Sequence, residues 1–174
     1  MKNSLMIDIE TLAVSPSATI LTIGAQGFNP YDDGFNDTTY YQRINLECQS
    51  QRDIDESTVE WWGKQAEDVQ NEALGDGPDR VDLKIALEDL SKIIWKADTV
   101  WSQGSFDFVI LENAFKSYGI NLPWQYYKVR DCRTILSLAP KLGKLENSHN
   151  ALEDCINQID ALQKTFKHLN ITAP

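Results

Sequence analysis

Cysteine is scarce in the 174-residue chain: Cys48, Cys132 and Cys155 are an odd number, and no two of them stand in Cys-x-x-Cys spacing. That pattern argues against a disulfide framework or a zinc site, and the thiols are expected to be reduced. Histidine is scarcer still, limited to His149 and His168. Basic charge is also short. Against 26 Asp and Glu the chain carries 16 Lys and Arg, a formal net charge of -10, the wrong sign for a surface that tracks a long phosphate backbone. Such a chain can still act on a polyanion through bound cations, with a small footprint and a weak hold on long polymers. No apolar stretch has membrane-spanning length, and the N-terminal residues run into an apolar strand pattern without the features of a signal peptide. The expectation is a cytosolic protein without a membrane partner. An apolar fraction of 42% and a charged fraction of 24% are those of a globular protein, and the length fits a single domain over 1–174.

What is present is a run of strand patterns followed by helix patterns. Strands are expected over 4–13 and 19–25, joined as a hairpin by the turn signal Ser15-Pro16-Ser17, and over 39–46, where Tyr40, Gln42, Ile44 and Leu46 share a face. The three make an antiparallel meander. Ser57 and Glu60 have capping-box spacing, which predicts a helix from Thr58 carrying Val59, Trp61, Trp62, Ala66 and Val69, before a loop at Gly75-Asp76-Gly77-Pro78. Leu83, Leu87, Leu90 and Ile94 predict an amphipathic helix over 82–96, followed by a short strand over 99–101. A helix over 106–118, capped by Ser105 and stopped at Gly119, a strand over 126–129, a short helix over 134–139 and a closing helix over 150–168 complete the pattern. The fold class is α/β, with a mixed central β-sheet flanked by helices.

Two carboxylates interrupt the first strand. Residues two apart in a strand project from one face, so Asp8 and Glu10 point together and repel. No Lys or Arg lies between Lys2 and Arg43, which leaves a divalent metal, a distant Arg or a solvated strand end as the way the pair is accommodated. Asp107, in the first turn of a helix that follows a strand, compensates the helix dipole or joins that pair. Asp154 lies early in the closing helix, beside the apolar stripe of Leu152, Cys155, Ile156 and Ile159, either as a solvated residue or as a further acidic partner. His149 precedes Asp154 by five residues, a rotation of roughly 140° on a helix. The two converge only if His149 sits at the helix entry and swings inward from a mobile 143–148 segment. His168, near a helix C-terminus, fits a surface role.

Taken together, Asp8-x-Glu10 on the first strand, Asp107 after Phe106 at the start of a mid-chain helix, and His149-x-x-x-x-Asp154 near the C-terminus resemble the three signature motifs of the DEDDh 3'-5' exonucleases, in order and with similar spacing. The segments Thr58-Val59-Glu60-Trp61-Trp62 and Arg130-Asp131-Cys132-Arg133-Thr134 resemble a compact subgroup that includes the phage DexA-type enzyme and the mycobacterial exoribonuclease-like domain. Gln103-Gly104-Ser105 departs from the proofreading pattern, in which an Asn-containing segment is frequent. The resemblance implies a ribonuclease H-like fold and hydrolysis of phosphodiester bonds at the 3' ends of single-stranded DNA or RNA, with release of 5'-mononucleotides. An exoribonuclease restricted to short RNA and a catalytically silent nucleic-acid-binding module on the same fold are the alternatives. Relatives are often homodimers, and the sequence leaves the oligomeric state open.

Hard oxygen ligands suit two Mg2+ or Mn2+ ions, which catalyse such hydrolysis when about 3.5–4 Å apart. The resemblance implies that Asp8 bridges the ions, that Glu10 and Asp154 complete the one that activates water, and that Asp107 acts largely through bound water. It casts His149 as the general base, an imidazole able to be neutral at pH 7. For the substrate, Thr11 and Leu12 are placed to touch the terminal sugar and base, and Phe106, Phe108 and Trp62 to stack on or wedge bases. Trp61 and Trp62 are adjacent, so at most one faces the core squarely. Arg133 binds phosphate or pairs with a structural carboxylate.

Overall fold

A computed structural model describes residues 3–142 and 148–173. In chain order the elements are β1 (Ser4–Thr11), β2 (Ile20–Phe28), β3 (Phe35–Ile44), α1 (Glu56–Trp62), α2 (Glu67–Leu74), β4 (Arg80–Val81), α3 (Leu83–Ile94), β5 (Thr99–Ser102), α4 (Phe106–Ser117), β6 (Val129–Asp131), α5 (Cys132–Leu136) and α6 (Ala151–His168). The strands form one mixed sheet in the order β4-β3-β2-β1-β5-β6. β1, β2 and β3 are an antiparallel meander, while β5 runs parallel to β1, β6 to β5 and β4 to β3.

Alternation along β1 decides the layering. Leu5, Ile7 and Ile9 enter the core formed with Leu83, Leu87 and Leu90 of α3 and Ile110, Leu111 and Phe115 of α4. Met6 faces the other way, into a second cluster with Phe28, Trp101, Cys132 of α5 and Cys155, Ile159 and Leu162 of α6. Asp8 and Glu10 share the parity of Met6, so both project toward the α6 layer at the C-terminal end of the strand. A third cluster, of Leu12, Leu21, Trp62 and Ala73, seats α1 and α2 beside that end. Among the described residues no helix is long and apolar enough to cross a membrane.

One glycine controls how closely α6 approaches. Gly24 pairs with Asp8 across β1 and β2, and a Cβ built on it would lie 2.3 Å from the carbonyl carbon of Ala151, 2.4 Å from its oxygen and 2.5 Å from the nitrogen of Leu152. The first turn of α6 thus rests directly on the sheet backbone beside Asp8. Asn150 fixes where that turn begins, its side chain accepting hydrogen bonds from the N–H groups of Leu152 and Glu153.

Several boundaries differ from the sequence expectation. The single helix expected from Thr58 to the loop at Gly75 is broken: α1 begins at Glu56 and stops at Trp62, where the Gly63 N–H bonds back to Val59 and Trp61, and α2 starts again at Glu67. The residue preceding α1 is Asp55, which makes no side-chain cap bond, so the Ser57–Glu60 capping box is not the start signal. Ser105 occupies the expected cap position without a side-chain cap bond. Tyr126–Lys128 forms a 3-10 turn rather than a strand, and the strand lies one step later, where Val129, Arg130 and Asp131 pair with Val100, Trp101 and Ser102. The short helix begins at Cys132 instead of Thr134, because the Asp131 carboxylate caps it through the Arg133 N–H. The two-residue strand β4 carries too little pattern to be read from sequence.

Gly24→Ala must push α6 off the sheet, an overpacking cost of about 1–3 kcal/mol, or a Tm loss of about 2–4 °C per kcal/mol in a chain of this size. Gly63→Ala is the control, since a Cβ there meets no atom closer than 3.5 Å. Thermal unfolding of the two variants side by side checks this, and equal Tm values would contradict it.

Candidate active site

Each acidic residue reaches the cleft by a separate backbone route. Asp8 and Glu10 come from the end of β1. Asp107 follows the β5 to α4 connection, in which Gly104 adopts a left-handed φ of 99° and its N–H donates to Asp131 Oδ1 at 2.8 Å. The Asp107 carboxylate, only 4% exposed, accepts the Ile9 N–H at 3.1 Å, which ties α4 to β1 between the two acidic residues of that strand. Asp154 lies in the first turn of α6 and is 7% exposed. Its Oδ1 accepts the Ser148 N–H at 2.7 Å and the Ser148 hydroxyl at 3.0 Å, and its Oδ2 accepts the His149 N–H at 3.2 Å.

Those bonds explain how His149 and Asp154 converge despite their spacing. His149 lies outside α6, at a left-handed φ of 57°, and one ligand atom from each of Glu10, His149 and Asp154 lies within 4.8 Å of the others. The segment expected to swing the histidine inward falls largely on 143–147, outside the described residues. His168 is in the last turn of α6 and belongs to neither cleft described here.

Asp8, Glu10, Asp107, His149 and Asp154 line one open cleft of about 230 Å³, together with Gln103, Phe106, Arg133 and Gln158. A second cleft, of about 280 Å³, shares Ile9, Glu10 and Phe106 with it and is walled by Thr11, Val14, Ser57, Thr58, Trp61 and Trp62. Of the five side chains expected at the substrate, Phe106 borders both clefts, and Thr11 and Trp62 border the second. Leu12 and Phe108 border neither. Phe108 is 6% exposed and packs edge-on against Trp124, while Leu12 is a core side chain beside Trp62. Trp62 is buried at 1% exposure, its indole N–H donating to the Thr11 carbonyl at 2.9 Å, so it is the cleft's fixed floor. Trp61, 41% exposed, is the tryptophan that faces outward.

Gln158 is the residue that sequence reasoning missed. It lies one helical turn after Asp154 on α6, is 2% exposed, and donates from Nε2 to Asp8 Oδ1 at 2.8 Å, while its Oε1 is buried without a partner among the described residues. A glutamine inside the apolar stripe of α6, four residues past an acidic one, is the signal that would have found it. Arg133 is exposed, lines the first cleft and makes no hydrogen bond or ion pair through its guanidinium among the described residues.

The electrostatics are those of an unneutralised acidic cluster. Burial, then the charges of Asp107 and Glu10, push the Asp8 carboxyl well above its usual range, against the Gln158 hydrogen bond. Burial, then Asp154 and Asp107, push Glu10 up to about 8. Burial pushes Asp107 up to about 7, opposed by backbone N–H groups and by Arg133. Converging hard oxygen donors with raised pKa values fit divalent cations, which supply the missing charge.

Comparisons with known proteins bear on the family and the fold. Residues 3–166 match the family described as the 3'-5' exoribonuclease Rv2179c-like domain. No curated protein sequence matches the chain. Among solved structures, exonuclease I superposes with a TM-score of 0.68 at 13% identity over 98% of this chain, which spans 43% of that protein's length. Pop2p from S. pombe, in a form with Mg2+ and Mn2+ bound, superposes at 0.64 with 14% identity, covering 94% of this chain and 82% of that one. The ribonuclease domain of yeast Pop2 gives 0.52 at 10% identity, covering 97% and 79%. At these identities the likeness is one of fold, the ribonuclease H-like sheet that carries this site.

The raised carboxyls set a pH dependence for the metal-free protein. Between the unfolded carboxylate range near 4 and the folded values of about 7 for Asp107 and about 8 for Glu10, the folded state holds more protons than the unfolded one. Their contribution is complete below pH 4 and is lost as pH rises through 7 to 8. With chelator present, Tm is therefore expected to fall from pH 5 to pH 8.5. Asp8→Asn should flatten that slope and raise Tm at pH 8 by about 2–8 °C, for about 1–2 kcal/mol of relieved repulsion. Scanning calorimetry across that range would contradict the assignment if Asp8→Asn and wild type ran parallel.

Proposed function

Because the chain belongs to the Rv2179c-like 3'-5' exoribonuclease domain family and is a 3'-5' exonuclease on that ground, we propose that it releases 5'-mononucleotides from single-stranded 3' ends with a His general base. The observation that carries this reading is the meeting of Asp8, Glu10, Asp107, Asp154 and His149 in one cleft, with a largely apolar cleft of nucleoside size beside it. The family favours RNA as substrate, and DNA remains part of the proposal.

The four carboxylates of Asp8, Glu10, Asp107 and Asp154 would hold two divalent ions, Mg2+ or Mn2+. Bound there, the ions would lower the pKa of water and stabilise charge on the attacking and leaving oxygens. His149 takes the proton of the nucleophilic water on its imidazole, a contribution of about 10² to 10⁴ in rate. Asp154 orients it by accepting its backbone N–H. Gln158 holds one Asp8 oxygen and thereby fixes the carboxylate's rotamer, as hydrogen bonds to metal-ligating carboxylates do. Arg133, the basic side chain among the described residues lining either cleft, meets the scissile or neighbouring phosphate. The terminal nucleoside enters the second cleft, its base against Trp61 and Phe106 over the Trp62 floor and its sugar near Glu10 and Thr11. With so little basic surface, the grip is limited to the last few nucleotides, consistent with the net charge of -10.

Matched DNA and RNA single strands labelled at either end, incubated with Mg2+ or Mn2+, should yield labelled mononucleotide at once from 3' label and only late from 5' label. Asp8→Ala abolishes this and weakens metal binding in titration calorimetry, whereas His149→Ala loses about 10²- to 10⁴-fold in kcat and keeps the metals. Absence of mononucleotide with every metal and substrate would sink the proposal, and equal metal loss in the two variants would sink the division of roles.

A further inference from the structure

The His149 imidazole is positioned by less than its role demands. Among the described residues it makes no hydrogen bond, and its backbone sits at a φ of 57°. Its ring neighbours are Trp61, with centroids 4.9 Å apart and planes at 87°, and Trp62 at 6.3 Å and 77°, and one of its nitrogens lies within 4.8 Å of carboxylate oxygens of Glu10 and Asp154 without a hydrogen bond to either. Trp62 cannot move, being 1% exposed and bonded to the Thr11 carbonyl. Trp61 leans on it edge to face at 5.0 Å, yet 41% of its surface is open and forms a wall of the second cleft. The Trp61 indole therefore has the imidazole on one side and the space for a terminal nucleoside on another.

We propose that Trp61 is a positioning residue for His149, and that the nucleobase of the 3'-terminal nucleotide acts through it. This rests on reading His149 as the base and the second cleft as the terminal nucleoside's seat. An edge-to-face aromatic contact favours one arrangement by about 2- to 12-fold, too little to hold the imidazole in one pose while the indole itself retains rotamer freedom. A nucleobase stacked on the open face of Trp61 removes that freedom, since stacking on an aromatic side chain is favourable for any base. Binding energy from a part of the substrate remote from the reacting phosphate is thereby spent on orienting the general base. The kinetic mark of such use is loss of kcat, and not merely a higher KM, when that part is removed. A 3' end lacking its base is then bound and hydrolysed slowly, whatever the sequence behind it.

The test compares wild type, Trp61→Phe, Trp61→Leu and Trp61→Ala on oligonucleotides ending in an ordinary or an abasic 3' residue. In wild type the abasic end should lower kcat by about tenfold, within the range of one aromatic contact. Trp61→Leu and Trp61→Ala should show that lower kcat on ordinary ends and no further loss on abasic ones, and Trp61→Phe should recover most of the difference. Independently of turnover, the His149 Cε1–H resonance of the metal-free protein should be displaced by the indole ring current in wild type, and should lose that displacement in Trp61→Leu and Trp61→Ala. An unmoved resonance overturns the proposal. So does a Trp61 effect confined to KM, in which case mononucleotide release by wild type leaves the exonuclease reading standing. If wild type is as inert as Asp8→Ala, that reading fails and the proposal falls with it.

Discussion

Repulsion between carboxylates that the fold does not allow to separate is the constraint on which the rest depends. Asp8 and Glu10 share a face because a strand alternates. Asp107 is held beside them by the Ile9 N–H, and Asp154 is brought in by a helix that rests on bare sheet backbone at Gly24. None can withdraw without breaking a backbone contact of another element. The cost appears at Asp8, Glu10 and Asp107, whose carboxyls are driven above their ordinary pKa with desolvation the largest cause in each. A fold that only needed stability would have placed apolar side chains there. Retaining four acids against that gradient is intelligible if cations complete the cluster.

The sequence made the acidic cluster legible because strand parity and helix starts are local properties. Asp8 and Glu10 follow from a period of two, and Asp107 and Asp154 from being early in helices that the apolar pattern locates. The substrate side was less legible. Phe108 and Leu12 are as aromatic or apolar as their neighbours, and only the turn of α4 and the packing of Leu12 on Trp62 decide that they face inward. Adjacency of Trp61 and Trp62 showed that one must face outward, but choosing between them required the tertiary hydrogen bond from Trp62 to the Thr11 carbonyl. Gln158 escaped notice because its meaning lies in a contact with Asp8, 150 residues away in sequence. The errors in boundaries have a similar origin: the α1 break and the 3-10 turn at Tyr126–Lys128 answer to where Trp62 and Val129 pack rather than to propensity.

Charge distribution and cleft shape fit one another. An acidic chain cannot hold a polyanion by its general surface, so affinity must be concentrated where cations, Arg133 and aromatic faces meet. On the proposed reading, the apolar second cleft would supply sequence-tolerant stacking and the first would supply chemistry. This division accounts for how a family named for an exoribonuclease accommodates a chain with such a deficit of basic residues.

The hydrogen bonds from Ser148 and His149 to Asp154 carry a consequence for how such a site is inherited. Residues 148–158 bring the proposed base, the carboxylate that holds its backbone, the cap that starts the helix and the amide that bonds to Asp8 into one uninterrupted stretch. Recombination that exchanges this stretch whole moves a matched set onto any sheet with a glycine opposite it. A crossover inside the stretch leaves a histidine with the wrong partner, so among chimeras of related chains, function should track the ancestry of this short cassette more closely than the share of sequence retained elsewhere.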